Sequence, residues 1–198
     1  MRISFSLPAV SAAFVAALAL SAPVTASNID TKLDEAIDGK HRSEANRARD
    51  VYRRPKMTLL FFGIRPDMTV VEISPAAGWY SEIIAPVLKE SGRYYAAVPK
   101  IDGSMPEAMR QRDAAFREKL ADRALYGDAT ISTYDAAAPS FAPAGSADMV
   151  VTFRNVHNWA KAGNTDAMFK GFYSALKKGG VLGVVEHRAK PGTPLKQQ

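Results

Sequence analysis

The sequence predicts a doubly wound α/β fold, in which a mostly parallel sheet of about five strands carries helices on both faces. Short runs rich in β-branched residues alternate along the chain with segments of helical periodicity, the pattern of parallel strands joined by right-handed crossovers. A strand, a tight turn and a helix follow one another at residues 69–88. A length of 198 residues with 47% hydrophobic residues allows one core, so we expect a single domain.

Residues 1–26 have the pattern of a secretory signal peptide. Arg2 precedes an apolar run without acidic residues at 3–20, and a Val-Thr-Ala sequence of small residues ends the segment. A retained membrane anchor is the alternative, but no second apolar segment of about 20 residues follows. We therefore expect an exported, periplasmic protein that begins at Ser27 and has no membrane span.

Composition excludes several classes of function. The formal net charge is +6, and removal of residues 1–26 takes away one basic residue, which leaves +5. Basic and acidic residues alternate at 40–54, a pattern that favours a solvated face, with His41 in water, over nucleic-acid binding. No nucleic-acid partner is therefore expected. The chain has no cysteine, so disulfides, cysteine catalysis and thiolate metal sites are excluded.

Residues 27–66 are expected to form an N-terminal helical cover. Residues 28–39 have helical spacing, and Ser43 can cap a second helix that Pro55 ends. A short apolar segment at 58–62 then leads towards the first strand. The cover could contribute to a substrate lid or shield one face of the sheet, and the second role is favoured.

Residues 67–198 are assigned to the α/β domain. Met105 and Met109 lie on the apolar side of one of its helices, which favours core filling over a ligand surface. Strands are predicted at 70–73, 92–98, 129–135, 149–153 and 181–186, and helices at 79–88, 104–121 and 165–176. Parallel strands place the binding crevice at their carboxyl ends.

The turn after the first strand is the clearest binding feature. It leaves the first backbone N–H groups of the next helix above the strand end, where an anionic group or a nucleotide edge can be held. Glu72 lies one residue before the strand ends, and its carboxylate can accept hydrogen bonds from hydroxyl or ammonium groups.

At these residues the sequence resembles the class I S-adenosylmethionine-dependent methyltransferases, whose first motif is an acidic residue followed by alternating glycines. The matching register is Glu72, Ser74, Ala76 and Gly78, so the last of three glycines is present. If Ala76 has to adopt φ > 0, a strain of roughly 1 to 2 kcal/mol is expected to weaken cofactor binding about five- to thirty-fold.

Further resemblance extends over roughly residues 49–188. Residues 148–159 are similar to the fourth-strand segment of an exported group of predicted methyltransferases. In the same group, the segment before the first strand has motifs that match residues 52–55 and 61–66 of this sequence.

The resemblance implies a Rossmann-like methyltransferase fold with strand order 3-2-1-4-5 and S-adenosylmethionine as cofactor. Asp135, at the end of the third strand, is then expected to contact the adenine ring. The family usually has an acid after the second strand that binds the ribose hydroxyls; here the segment is Ala-Val-Pro, and Asp102 is the nearest carboxylate. The family's strands beyond the fifth are also missing. We expect the resulting open edge to give a homodimer or a marginally stable monomer.

The segment after the fourth strand contains the candidate catalytic residues. His157 is the best candidate general base, since an imidazole generally titrates near neutrality, and Asn155 accompanies it. Trp159 could place its ring against the sulfonium of the cofactor. Alternatively, Asn155 satisfies loop backbone groups and Trp159 packs on the helix from residue 165. Both interpretations stay open.

A metal site is a less favoured interpretation. Glu186 and His187 end the fifth strand and could face His157 at one crevice. Ordinary hydrogen bonding at the strand ends is favoured, so no metal is expected.

The leading function is methyl transfer to an acceptor, a small molecule or a protein, that the sequence does not identify. The alternative is a non-catalytic exported scaffold that binds a ligand or a protein. Three observations favour this alternative: two absent glycines, the absent ribose acid, and a compartment outside the cytoplasm where the cofactor is not obviously supplied.

Overall fold

The computed structural model of the protein describes residues 26–193, with the side chains of residues 29–193. The predicted signal peptide lies outside these residues except for Ala26, where the first helix begins. The helices are α1 Ala26–Asp38, α2 Glu44–Arg47, α3 Asp50–Arg53, α4 Pro55–Phe62, α5 Ser81–Leu88, α6 Glu107–Leu120, α7 Arg123–Tyr126, α8 Val156–Ala162 and α9 Thr165–Ala175. The strands are β1 Thr69–Ile73, β2 Arg93–Pro99, β3 Thr130–Tyr134, β4 Ala147–Phe153 and β5 Leu176–Val185.

All five strands are parallel and lie in the order β3-β2-β1-β4-β5, which confirms the predicted fold and strand order. The central strand β1 pairs with β2 on one side and with β4 on the other. Its last residue, Ile73, is in register with Ala97 and Thr152, so the carboxyl ends of three strands meet at one edge. This edge is the place where a doubly wound sheet binds ligands.

The sheet has a hydrophobic core on each face because successive strand residues point to opposite sides. Val70 belongs to the core that α1, α4, α5 and α6 cover. Val71 belongs to the core under α9, which contributes the fully buried Met168 and Phe172. Among the helices of residues 26–193, none combines the length and the apolar character needed to cross a bilayer.

The N-terminal cover packs on the domain through α1 and α4, whose Leu33 and Leu59 are fully buried. The helical segment that Ser43 caps consists of α2 and α3 and ends at Arg53, before Pro55, as expected; Pro55 then begins α4. Proline fits the first position of a helix, where no intrahelical N–H bond is needed. The residue before it, Arg54, makes the corner with φ of 44°.

The basic segment before α4 is largely exposed, as the charge pattern indicated, but Arg42 and His41 are exceptions. Arg42 is buried, and its guanidinium donates two hydrogen bonds of 2.7 Å to the carboxylate of Asp50. The buried carboxylate of Glu82 on α5 lies 3.7 Å from Arg42 Nε and accepts from Asn46 Nδ2 at 2.9 Å. His41, expected in water, is half-buried and lies 2.8 Å from the carbonyl oxygen of Glu82. These contacts attach the N-terminal cover to the start of α5.

Strand β5 lies at the edge of the sheet, as its place in the strand order requires. Ala147 pairs with Leu176 but Met149 pairs with Val181, so the added residues of β5 form a bulge that includes Gly179 at φ of 81°. Dimerisation through this edge stays a prediction.

Candidate functional site

Two cavities open where the parallel strands end, and they share one wall. The first cavity, of about 510 Å³, lies against the carboxyl ends of β1, β2 and β3 and reaches α6 and α8. The second cavity, of about 320 Å³, lies between β1, β4 and the segment of α2 and α3. Ser74, Ala76 and Asn155 line both cavities, so the two cavities adjoin at these residues.

The loop after β1 has an alternating left-handed backbone. Ser74, Ala76 and Gly78 have φ of 52°, 56° and 81°, at the three positions where the family motif places glycines. A Cβ at Gly78 would lie 2.6 Å from the ring of Phe116, so glycine is required there for space as well as for conformation. The loop therefore has a left-handed backbone at all three positions, although only one of the three residues is a glycine.

The fold itself holds this loop in place. Ser74 N donates to the carbonyl oxygen of Ala97 at 2.8 Å, and the Ser74 hydroxyl lies 2.6 Å from the hydroxyl of Tyr134. Asn155 Nδ2 donates to the carbonyl oxygen of Ile73 at 3.2 Å. Ala76 adopts φ > 0, which meets the condition set from the sequence for a strain of about 1 to 2 kcal/mol. The weaker cofactor binding expected from this strain stays a prediction.

Glu72 supports the loop from below. It is 2% exposed, and its Oε2 accepts hydrogen bonds from Tyr94 at 2.6 Å and from Ser81 at 2.9 Å. The hydroxyl groups that it was expected to bind thus come from the protein, and Glu72 lines the second cavity. Burial raises the pKa of Glu72 to about 7, against the lowering effect of the two hydrogen bonds.

The raised pKa of Glu72 predicts a pH dependence of stability. The unfolded carboxyl releases its proton near pH 4.5 and the folded one near pH 7, so the folded state binds more protons between these values. The contribution of Glu72 to the free energy of unfolding therefore falls by about 3 kcal/mol in all as the pH rises from the unfolded pKa to the folded pKa. Glu72→Gln removes the titration. We expect its free energy of unfolding, relative to the parent, to increase by about this amount between pH 5 and pH 8.

Urea denaturation at a series of pH values checks this expectation, and the difference between two chains cancels every other titrating group. Glu118→Gln, an exposed glutamate on α6, is the matched control and should give a curve parallel to that of the parent. A parallel curve for Glu72→Gln would show that Glu72 is ionised throughout this range.

The far wall of the first cavity comes from α6 and α8. Met109 and Asp113, one helical turn apart on α6, both line it. Met109 was expected in the core; this was wrong, because its side chain is 41% exposed and faces the cavity. Among residues 29–193, Asp113 is the only carboxylate in this wall, and its Oδ2 accepts from Arg117 Nε at 2.7 Å. Sequence reasoning missed Asp113, although its spacing of four from Met109 places both on one helical face.

Trp159 lies between the first cavity and the core. It is 7% exposed, its ring centroid is 5.5 Å from that of Phe172 on α9, and it also lines the cavity. Trp159 therefore packs on α9, as the alternative interpretation held, and it also contacts the first cavity. Val156–Ala162 forms the short helix α8, where the sequence indicated only a loop.

Two acids considered for the cofactor lie outside the lining of the first cavity. Asp135 follows β3 as expected, but it is exposed and accepts a hydrogen bond from Ala137 N at 2.9 Å. Asp102 accepts from the backbone and hydroxyl of Ser104, at 2.9 Å and 2.5 Å. Neighbouring Ala136, and not Asp135, contributes to the wall.

The second cavity contains a histidine and glutamate pair. His157 Nδ1 lies 2.8 Å from Glu186 Oε1. Since an ionised carboxylate can only accept, the proton lies on Nδ1 and Nε2 of His157 is available as a base. Burial alone would raise the pKa of Glu186, but hydrogen bonds from His187 N and from His157 lower it overall. Glu186 is therefore held as a carboxylate that orients the imidazole.

The three residues considered for a metal do come together. Ligand atoms of His157, Glu186 and His187 lie within 4.8 Å of one another. However, Arg154 Nε donates a hydrogen bond to His187 Nε2 at 2.9 Å, which occupies one ligand atom and places a cation beside the cluster. The geometry therefore favours hydrogen bonding over metal binding.

Solved structures of similar fold exist. A SAM dependent methyltransferase from Aquifex aeolicus matches with a TM-score of 0.57 and 17% identity, over 85% of this chain and 80% of that one. Coclaurine N-methyltransferase, bound to N-methylheliamine and SAH, matches with a TM-score of 0.51 and 10% identity, over 81% of this chain and 43% of that one. No family model and no curated protein matches the sequence.

The chain therefore has the fold of the S-adenosylmethionine-dependent methyltransferases, as the resemblance implied. At these identities the likeness shows the fold alone, and the activity has to be argued from the site.

Proposed function

We propose that the protein is an exported methyltransferase that binds S-adenosylmethionine in the first cavity and a methyl acceptor in the second. The observation that carries this proposal is the left-handed loop at Ser74, Ala76 and Gly78, which stands at the carboxyl end of β1 beside both cavities. Export is supported by the signal-peptide pattern of residues 1–26.

The residues of the first cavity fit this cofactor. The Asp113 carboxylate can accept two hydrogen bonds side by side, as the ribose hydroxyls require, and so replaces the acid missing after β2. Ile101, Met109 and Ala136 provide apolar surface for an adenine ring. The volume of about 510 Å³ is typical of small-molecule sites.

The cofactor, when bound, supplies a methyl group on a positively charged sulfur, and its transfer leaves a neutral thioether. The protein contributes position and a base. His157 Nε2 can take the proton that the acceptor loses, and Glu186 stabilises the imidazolium that forms. Asn155, where the two cavities adjoin, is held in place by hydrogen bonds to Ile73 and Thr152.

Cofactor binding tests the proposal. Asp113→Asn is expected to weaken the affinity for S-adenosylmethionine about ten- to hundred-fold, because hydrogen bonds to a charged group are lost. Calorimetric titration of the parent and the variant with S-adenosylmethionine and S-adenosylhomocysteine measures this effect.

Asp135→Asn is the matched control, since it changes the acid that resemblance indicated and that lies outside the cavity wall. Equal affinity for Asp135→Asn and the parent is expected. If Asp135→Asn weakens binding and Asp113→Asn does not, the cofactor is held as the resemblance implied. No heat from the parent at millimolar ligand leaves only the non-catalytic scaffold.

A further inference from the structure

The second cavity contains three arginines without a carboxylate partner. Arg49 and Arg53 come from the N-terminal cover, and Arg154 follows β4. None of the three forms an ion pair with a carboxylate of residues 29–193. Arg53 lies over the ring of Trp79, 4.5 Å from its centroid, and Arg154 donates to His187. Positive charge is therefore concentrated here, and no carboxylate of the described residues pairs directly with it.

The arrangement of these arginines costs free energy. Burial, followed by the charges of Arg49 and Arg154, lowers the pKa of Arg53. Arg154 has φ of 64°, a left-handed conformation that is strained for arginine, and its N donates to the carbonyl oxygen of Val185 at 2.7 Å. Strain and like charges held together are typical of binding sites. A bound anion would relieve the repulsion between the guanidinium groups.

The floor beside the arginines is aromatic. Tyr80 and Phe153 stack with centroids 3.5 Å apart and ring planes 10° from parallel. Tyr52, which is 85% exposed, lines an adjoining cavity of about 420 Å³ that shares Phe153 and the three arginines with the second cavity. A flat apolar group can pack against the exposed ring of Tyr52 and the half-buried ring of Phe153, and volumes of this size are those of small-molecule sites.

We propose that the methyl acceptor is a small organic anion, with a flat apolar body that packs on Tyr52 and Phe153 and a carboxylate or phosphate that binds Arg49, Arg53 and Arg154. This inference rests on the proposed function, since it assigns the acceptor of the same site. Ser74, Ala76 and Asn155 line both cavities, so the anion would lie next to the first cavity, and His157 lines the second cavity together with the arginines. Guanidinium groups suit this role because their planar N–H groups pair with carboxylate and phosphate oxygens.

Calorimetric titration of the purified chain with 4-hydroxybenzoate, in buffer without S-adenosylmethionine, tests the inference. We expect 4-hydroxybenzoate to bind, and its neutral analogue 4-hydroxybenzyl alcohol to bind at least about ten-fold more weakly. Phenyl phosphate is the second anion, and binding of either anion supports the proposal. Arg49→Gln should weaken anion binding about ten- to hundred-fold. Arg49 is exposed, so this variant is expected to fold.

Arg47→Gln is the matched control, because Arg47 is exposed in the same segment but outside the cavity wall. It should bind the anions as the parent does. The inference is overturned if both anions fail to bind at about 10 mM, if the neutral analogue binds equally well, or if Arg49→Gln has no effect.

The two proposals fail in distinguishable ways. Cofactor binding in the first cavity without anion binding in the second removes the acceptor class and leaves the proposed function. Anion binding without cofactor binding contradicts the proposed function, and with it the acceptor role of the anion. Asp113→Asn provides the internal check, since it should weaken cofactor binding and leave anion binding unchanged.

Discussion

Arg42→Ala is expected to lower the free energy of unfolding by about 3 to 5 kcal/mol. The Arg42 side chain is fully buried, pairs with Asp50 through two hydrogen bonds, and lies 3.7 Å from Glu82. The Glu82 side chain is only 3% exposed, so water cannot replace the lost guanidinium there. The cost comes mainly from leaving carboxylates without their cation in the interior.

Urea denaturation at neutral pH measures this loss. The control is Arg47→Ala, which removes an exposed arginine of the same segment and should change the free energy of unfolding by less than about 0.5 kcal/mol. A loss below about 1 kcal/mol for Arg42→Ala would mean that Asn46 and Lys119, which also bind Glu82, are sufficient to keep the cover attached.

His157→Ala is expected to lower acceptor-dependent formation of S-adenosylhomocysteine about 10²- to 10⁴-fold, the usual contribution of a general base. Cofactor affinity should stay nearly unchanged, because His157 does not line the first cavity. The measurement is single-turnover kinetics with a small anion that supports the reaction. Separate effects on rate and on binding identify a role in chemistry.

Added imidazole provides the control for His157, since it restores a base without restoring the side chain. Partial recovery of the rate in His157→Ala is expected, with none in the parent. Equal rates in parent and variant, or a changed circular dichroism spectrum, would return His157 to a structural role.

The fold was predictable because its signals are local. β1 and α5 follow from a β-branched run, a Ser-Pro turn and helical spacing, all within twenty residues of one another. The left-handed conformation of Ala76 was raised only as a condition, and it came from the register of the motif that the family resemblance gave. The sheet order, by contrast, came from resemblance and not from the residues.

The parts that sequence reasoning missed depend on contacts between distant segments. Arg42 and Glu82 are forty residues apart, and only the docking of the cover on α5 makes a buried pair of them. Asp113 looks like any exposed acid of a helix until α6 lies beside the loop after β1. Similarly, Arg49 and Arg53 form a cluster of positive charge only when the fold brings Arg154 to the same cavity. Charge patterns along the chain cannot show such pairs.

The position of the two tryptophans makes occupancy of each cavity optically observable. The sequence has two, and Trp79 lines the second cavity whereas Trp159 lines the first. Both indoles are nearly buried, so their emission depends on the few groups around them. Trp79→Phe and Trp159→Phe each leave a single fluorophore in one cavity. The order in which two ligands enter this protein can therefore be followed by stopped-flow emission without any attached label.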